Sequence, residues 1–242
     1  MVIAIIFVIH WYLSLFFQTI FLHRYASHQM FTMSKFWEKV FFFLTFLVQG
    51  SSFLNPRAYA ILHRLHHKHS DTEKDPHSPK FSKNIIMLNI NTVKHYESIR
   101  RNKKDYSKYD YNVPRWEPLE KFSDYWLTRV SFIAFYTLVY ATYSTSTWQY
   151  MLLPIHFVMG PLHGSIVNWC GHRYGYVNHK KTNDKSKNTL PFDFLMMGEL
   201  FQNNHHWKPK SINFSSRWFE IDPGFLFTKI LNKINMIRIN NG

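Results

Sequence analysis

Residues 61–79 read ILHRLHHKHSDTEKDPHSP, and this stretch decides how the rest of the sequence is interpreted. On a helix, His63 and the adjacent pair His66 and His67 project at least two imidazoles from one face toward one point. Imidazole is a ligand that suits iron, zinc, copper and nickel. One such cluster is a weak indication of a metal site, because single histidines are usually surface or core residues.

Two further histidine clusters and one spaced pair strengthen the indication. Residues 23–28 read HRYASH, and residues 202–206 read QNNHH. Asn168 and His172 are four residues apart and would share one helix face. Eight imidazoles are too many for one ion and would serve two ions. The candidate ligands are His23, His28, His63, His66, His67, His172, His205 and His206.

The residue types narrow the choice of metal. The chain has one cysteine, Cys170, which excludes a disulfide framework and a zinc site built on cysteine pairs. Carboxylates are absent from the clusters, which argues against calcium or magnesium. Zinc would perform hydrolysis, but no obvious general base lies among the clusters. Two redox metals beside a membrane favour oxygen chemistry on a lipid.

Composition points to a membrane protein. Hydrophobic residues make up 46% of the 242 residues and charged residues only 18%, yet the formal net charge is +14. A nucleic-acid-binding protein would also be basic, but it would not contain long uncharged apolar runs. Residues 1–22 and 130–171 contain no charged side chain. Since one crossing needs about 20 apolar residues, we expect spans at about 2–22, 127–145 and 148–170.

The placement of basic residues predicts the orientation. Apart from Arg129, every Lys and Arg falls in 24–121 or 173–238, so both stretches should face the cytoplasm. If residues 36–54 crossed the membrane, His23 and His63 would lie on opposite sides. We therefore expect 36–54 to be interfacial or re-entrant. The predicted fold is an all-α integral membrane protein, one domain over 1–242, with a cytoplasmic helical cap formed by 55–124 and 171–242.

At this point the chain resembles the membrane fatty acyl desaturases, specifically the bacterial acyl-CoA or acyl-lipid Δ9-type group related to stearoyl-CoA desaturase. The matching stretches are FLHRYASH, ILHRLHHKHSDTEKDPHSP, NWCGHRYGY and GELFQNNHHWKPK. They follow the family's order and cover about residues 20–223. The pattern of three histidine boxes with an added Asn/His pair is highly specific.

The resemblance implies two iron ions (Fe²⁺) held by the eight histidines, with Asn168 reaching one iron through a water. Animal relatives have a ninth histidine where this chain has Gln202, so Gln202 would be a weak oxygen ligand or leave a position open. These relatives also have one more helix before the first box. We therefore expect a tunnel wall that is incomplete here or closed by a partner subunit.

The activity implied is dioxygen-dependent conversion of a saturated fatty acyl-CoA or acyl-lipid to a cis mono-unsaturated product in the bacterial inner membrane. Electrons would come from an external donor such as a ferredoxin or a b-type cytochrome with its reductase. Two alternatives stay open, namely a lipid hydroxylase on the same scaffold and a non-enzymatic metal-binding or transport protein. No nucleic-acid partner is expected.

Other side chains have expected supporting roles. Carboxylates near the boxes could accept the free N–H of a metal-binding imidazole and fix its tautomer. Aromatic side chains of the apolar helices could line an acyl tunnel, although packing is the commoner role. The carboxylate candidates are Asp71, Glu73, Asp75 and Glu199. The aromatic candidates are Phe41, Phe42, Phe43, Phe46, Trp148 and Trp169.

Overall fold

The structure, a computed structural model, describes residues 1–240 and is built almost entirely of helices. The α-helices are α1 Val2–Phe17, α2 Lys35–Gln49, α3 Pro56–His69, α4 Ile85–Arg100, α5 Glu117–Asp124, α6 Trp126–Tyr143, α7 Leu153–Phe157, α8 Met159–Gly171, α9 Gln202–Trp207 and α10 Pro223–Lys233. A π-helix covers Gln18–Ser27. Short 3₁₀ turns lie at Gly50–Ser52, Pro79–Phe81, Ser107–Tyr109 and Thr147–Leu152.

α1 and the π-helix form one continuous helix from Val2 to Ser27. Its 26 residues are apolar enough to cross a membrane, and at ~1.5 Å per residue they exceed the ~30 Å of a hydrocarbon core. In the π-helix the backbone bonds join residues five apart, so His23 and His28 come to one face. This widening of the helix explains how the HxxxxH spacing serves one site.

The other two predicted spans differ from a simple pair of crossing helices. Residues 148–170 do not form one kinked helix, because the segments Thr147–Phe157 and Met159–Gly171 meet at a bend of 82°. Each segment has a proline in its first helical turn, Pro154 in α7 and Pro161 in α8. Within residues 1–240, one helix, Val2–Ser27, is long and apolar enough to cross a membrane, or two if the bent pair counts as one span. α6 has 18 residues but does not meet this condition.

The segment between the first two histidine boxes runs out and back. α2 begins at the N-cap Ser34 and ends at Gly50, whose positive φ and close approach to Tyr136 leave no room for a side chain. Near the end of α2, the Val48 carbonyl lies 2.6 Å from Nε2 of His10. His10 lies several turns before His23 in the continuous helix. α3 then returns and brings His63 beside His23, with ring centroids 4.5 Å apart.

A buried arginine joins the first helix to the cap. Arg24 is fully buried and forms ion pairs with Glu199 (2.9 Å) and Asp222 (2.9 Å). Asp222 is also the N-cap of α10, so one carboxylate orients the arginine and starts the helix. The partners lie about 175 to 200 residues away along the chain, so this network fixes the segments that contain Glu199 and Asp222 against the π-helix.

The all-α prediction misses one small sheet. Strands β1 (Phe31–Met33) and β2 (Ile237–Ile239) pair antiparallel, with Phe31 opposite Ile239. The pairing holds the end of the chain against the segment that follows the first histidine box. The predicted aromatic stretch of α2 packs in the main core, where Phe41, Phe42 and Phe46 are buried.

Candidate metal centre

Five of the eight predicted histidines form one tight group, here called cluster A. Their potential ligand nitrogens all lie within 4.8 Å of one another. The Nε2 atoms that approach one another are 2.7 to 3.1 Å apart, for example 2.7 Å between His28 and His63. The π-helix, α3 and α9 each contribute to the group. Cluster A consists of His23, His28, His63, His67 and His205.

The remaining three histidines form cluster B, whose potential ligand atoms also lie within 4.8 Å of one another. His66 comes from α3, His172 follows the end of α8, and His206 belongs to α9. The clusters adjoin, because the rings of His67 and His206 have centroids 4.4 Å apart. The structure thus divides the eight predicted candidates into two neighbouring sets of five and three.

Carboxylates hold the outer nitrogens of cluster B. Nδ1 of His66 lies 3.0 Å from both oxygens of Asp75, and Nδ1 of His172 lies 2.9 Å from Asp71. Nδ1 of His206 lies 2.6 Å from Asp184. Each contact places the proton on Nδ1 and leaves Nε2 as the free acceptor.

Cluster A has one such carboxylate contact. Nδ1 of His23 lies 2.5 Å from Glu199. Three of the four carboxylates predicted from sequence therefore contact a candidate ligand, whereas Glu73 is exposed. Sequence analysis missed Asp184, because it lies 22 residues from His206 and no box spacing points to it.

Burial keeps most of the imidazoles neutral, the form that binds a metal. Burial lowers the pKa of His28, His63, His67 and His205 well below the ordinary value, and neighbouring histidines lower it further. Burial also lowers the pKa of His206, to about 4, against the opposing effect of Asp184.

The carboxylates of cluster B stay ionised. Burial alone would raise the pKa of Asp71, but the hydrogen bond and charge of His172 lower it to about 2. For His66 the directions are reversed. Burial alone would lower its pKa, but the charge and the hydrogen bond of Asp75 raise the pKa above its ordinary value. An ionised carboxylate behind a buried imidazole makes that imidazole a more basic ligand.

The arrangement fits two metal ions. Nε2 of His66, His172 and His206 is buried and has no hydrogen-bond partner among residues 1–240. Unpartnered buried polar atoms are costly and rare, so three at one point indicate a missing ligand. In cluster A, each Nε2 can make one hydrogen bond, as donor or as acceptor, so the four Nε2–Nε2 contacts among the five rings cannot all be hydrogen bonds. An ion in each cluster resolves both problems.

Two amide side chains, Asn168 and Gln202, lie four residues before His172 and His206 of cluster B, each with its nitrogen already bonded. Nδ2 of Asn168 donates to the Gly164 carbonyl at 2.8 Å, and Nε2 of Gln202 donates to the Glu199 carbonyl at 2.7 Å. Because the NH₂ ends are fixed, the carbonyl oxygens are the free ends. Both side chains line the same cavity, so both present an oxygen that suits a metal-bound water or a metal.

The histidines outside the boxes have varied positions. His77 is buried against His66, with ring centroids 4.3 Å apart, and its Nε2 has no partner among residues 1–240. Nδ1 of His10 lies 2.6 Å from Nδ1 of His156, and Nε2 of His156 lies 2.9 Å from the Tyr140 hydroxyl. This pair connects α1 to α7 and belongs to neither histidine cluster. His163 lines the cavity described next.

A mainly apolar cavity of about 170 Å³ reaches the centre. Its wall includes His23 and His63 of cluster A, together with Asn168 and Gln202. The six aromatic residues proposed from sequence do not line it. The side chains that do include Phe53, Leu54, Tyr59, Leu62, Leu88 and Tyr96. They come from the turn between α2 and α3, from α3 itself and from α4, so the wall depends on contacts between elements that no local pattern reveals.

Fold and site together define a membrane-associated helical protein with two adjoining histidine clusters beside an apolar cavity. The chain belongs to the fatty acid desaturase family, whose model matches residues 1–219. The resemblance predicted from the four motifs is thereby confirmed at the level of the family.

Individual relatives support the same assignment. The chain is 28% identical to the sn-1 stearoyl-lipid 9-desaturase of Synechocystis sp. over 225 residues, which is 89% of the chain and 64% of that relative. It is 26% identical to Delta-9 acyl-lipid desaturase 1 of Arabidopsis thaliana over 90% of the chain and 68% of that protein. The sn-1 stearoyl-lipid 9-desaturase of Anabaena variabilis is 24% identical over 88% of the chain and 74% of that protein. The chain therefore spans slightly less than two thirds of the first of these relatives.

Proposed function

We propose that this protein introduces a cis double bond into a saturated fatty acyl chain, using dioxygen at a centre of two iron ions. The observation that carries the proposal is the pair of converging imidazole clusters beside an apolar cavity. An unactivated methylene has no acidic proton, so general acid–base catalysis alone cannot remove its hydrogens. Dioxygen would be the oxidant, and two iron ions, when bound, would supply its activation.

The proposed ligands divide between the two sites as the clusters do. Cluster A would hold one ion with His23, His28, His63, His67 and His205. Cluster B would hold the other with His66, His172 and His206, with Asn168 acting through a water. Gln202 would offer its amide oxygen to cluster B in place of the ninth histidine of animal relatives. Asp71, Asp75 and Asp184 would orient the cluster B imidazoles.

The protein's own contribution is position and exclusion of water. The cavity would bind the acyl chain through apolar contacts with Leu54, Leu62 and Leu88. Its end at His23 and His63 would place one pair of methylenes next to the centre. Because the names of these relatives specify position 9 of a lipid-linked chain, the same position and an acyl-lipid substrate are the first to test, with acyl-CoA as the other candidate.

The stoichiometry requires an electron donor. Removing two hydrogens from the chain and reducing dioxygen to two waters consumes two further electrons and two protons. We assign these electrons to a separate carrier, such as a ferredoxin or a b-type cytochrome with its reductase. The apolar Val2–Ser27 helix supports placement in a membrane, and the basic cap supports a cytoplasmic centre on a bacterial inner membrane.

Lipid analysis tests the proposal. The protein is expressed in a bacterium whose acyl chains are all saturated, and its fatty acids are measured by gas chromatography with mass detection. We expect a new mono-unsaturated species that disappears with His66→Ala. The matched control is His95→Ala, because His95 is exposed on α4 and belongs to neither cluster. A hydroxylated chain as the only product, from a membrane-inserted and iron-loaded protein, would contradict desaturation.

A further inference from the structure

A second and more open hollow, of about 650 Å³, lies on the outer side of cluster B. His172, Asp71 and Asp184 form part of its wall, so it reaches the groups that hold and orient cluster B. The rest of the wall is strongly basic. We call it the lysine hollow, after its basic side chains, which are Lys80, Arg173, Lys180, Lys185 and Lys187.

The positive charge of the lysine hollow is not neutralised within the protein. Its two carboxylates already contact imidazoles, Asp71 with His172 at 2.9 Å and Asp184 with His206 at 2.6 Å. None of the four lysine ammonium groups forms an ion pair with an acidic side chain within residues 1–240. The hollow therefore presents a positive field directed away from cluster B.

The arrangement suits a protein partner better than a small buried anion. Lys80, Lys180 and Lys185 are exposed rather than buried, so they do not enclose a small anion. The rim also has apolar contact area, because the His179 ring stacks on Trp207 with an interplanar angle of 7°. Exposed basic side chains around an aromatic anchor are typical of surfaces that bind acidic proteins quickly and transiently.

The position of His172 gives this surface a chemical role. Its imidazole lies between the lysine hollow and cluster B, with Nδ1 on Asp71 and Nε2 toward the cluster. A redox group docked in the hollow would be separated from cluster B by little more than this side chain. The first cavity reaches the centre from another side and is mainly apolar, which suits the acyl chain rather than a charged protein.

We propose that the lysine hollow is the docking site of an acidic one-electron carrier protein, which reduces the centre through His172. This inference rests on the proposed function. The carrier donates one electron in each of two encounters and is itself oxidised. The two electrons and two protons, with the two hydrogens of the acyl chain, convert one dioxygen to two waters.

Charge reversal tests the docking site in the iron-loaded, detergent-purified protein. The probe is a reduced, acidic plant-type [2Fe–2S] ferredoxin, and stopped-flow absorbance follows its anaerobic oxidation by the oxidised enzyme. The test variant is Lys180→Glu with Lys185→Glu. The matched control is Lys103→Glu with Lys104→Glu, a second pair of exposed lysines that undergoes the same change in charge. Iron per chain and reduction by a small neutral hydroquinone are measured for every variant.

We expect the second-order rate constant to fall at least tenfold in the test variant at low ionic strength and to stay within twofold in the control. The difference should shrink above about 0.3 M salt, because screening shortens the range of the charges to a few ångströms. Reduction by the hydroquinone should be unchanged. An equal loss in both variants, or no loss in the test variant, would overturn the docking site.

The two proposals fail in different ways. The ferredoxin measurement contains no lipid, so it reports on docking alone. If the hollow governs electron entry but no acyl chain is desaturated, the docking site stands and the proposed function fails. If the protein desaturates acyl chains and charge reversal leaves the rate of ferredoxin oxidation unchanged, the proposed function stands and the docking site fails.

Discussion

The carboxylate of Asp184 accepts a hydrogen bond from Nδ1 of His206 at 2.6 Å, and this contact fixes which nitrogen of His206 faces cluster B. Asp75 and Asp71 do the same for His66 and His172. Every imidazole of cluster B thus has an acidic partner that sets its tautomer and orientation. These contacts hold the three imidazoles of cluster B in fixed orientations.

Removing the Asp184 carboxylate should weaken metal binding at cluster B. We expect Asp184→Ala to lower the affinity for the second iron by about 10- to 100-fold, because His206 loses its orienting partner. Iron retained per chain after dialysis against a graded chelator measures the effect. Asp105→Ala is the matched control, since Asp105 likewise accepts from the backbone N–H two residues on, but lies at the surface. Equal iron retention in both variants would refute the assigned role of Asp184.

Gln202 provides a second test of cluster B. Gln202→His would replace an amide oxygen with an imidazole nitrogen at the position where animal relatives have histidine. We expect the second iron to be retained about tenfold more tightly, because imidazole is a better ligand than an amide oxygen for iron. Metal titration and the coordination number from X-ray absorption would report the change. Unchanged affinity, with no added nitrogen around the iron, would place Gln202 outside the metal site.

The metal-free protein should lose stability as the pH falls below about 6.5. The pKa of His28, His63, His67 and His205 is lowered in the folded state, so the unfolded chain binds more protons below its histidine pKa of about 6.5. His66 acts in the opposite direction, because Asp75 raises its pKa, but it is one group against these four and His206, whose pKa is also lowered.

The buried carboxylates add a second loss of stability at lower pH. The pKa of Asp71 is lowered to about 2, so its stabilising effect is complete above about pH 4 and disappears toward pH 2. Thermal unfolding of the metal-free protein in detergent, measured at pH 7.5, 6.0 and 5.0, checks the first loss. We expect the midpoint to fall at each step, and a midpoint that rises toward pH 5 would disagree with neutral buried imidazoles.

The buried Arg24 should be essential for the stability of the cap. Arg24→Leu would leave the carboxylates of Glu199 and Asp222 without their cationic partner, at a cost of about 3–5 kcal/mol in the free energy of unfolding. Arg115→Leu is the control, because Arg115 is half exposed and its ion pairs should contribute at most about 1 kcal/mol. Thermal unfolding in detergent compares the two variants, and similar midpoints would contradict the role of Arg24.

The cavity can be tested at Gly164, which lies in its wall. A Cβ at this position would meet only Nε2 of Gln18, at 3.7 Å, so Gly164→Ala should keep activity within about twofold. Gly164→Leu would extend into the cavity, and we expect at least a tenfold loss of mono-unsaturated product. Fatty acid analysis at matched protein levels measures both variants. Full activity in Gly164→Leu would show that the acyl chain lies elsewhere.

Sequence spacing was sufficient to select the eight histidines that form the two clusters. The boxes are local patterns in the sequence. The prediction that they share one location rests on the expectation that residues 36–54 do not cross the membrane. The division of the eight histidines into sets of five and three cannot be predicted from the sequence, because it depends on which nitrogens of α3 and α9 face each other. Asp184 was missed for a similar reason, since a loop of irregular conformation brings it to His206.

The membrane helices show a different limit. The run of residues without charge predicted a helix from the first residues to His23, but not the π-helical widening that brings His28 to the same face. The uncharged stretch after Arg129 suggested two full spans, whereas its second half bends by 82°. Hydropathy reports composition along the chain, and the bend at Val158 depends on how α7 and α8 pack against other helices.

A single turnover without any electron donor tests the central claim most directly. Purified protein loaded with two irons per chain is reduced chemically under anaerobic conditions, freed of reductant and mixed with a saturated acyl-lipid and dioxygen. The two reduced irons hold the two electrons that one desaturation needs. We predict about one mono-unsaturated chain for each pair of irons, and no product from His66→Ala. An intact saturated chain, or a hydroxylated one as the only product, would contradict a desaturase built on these two clusters.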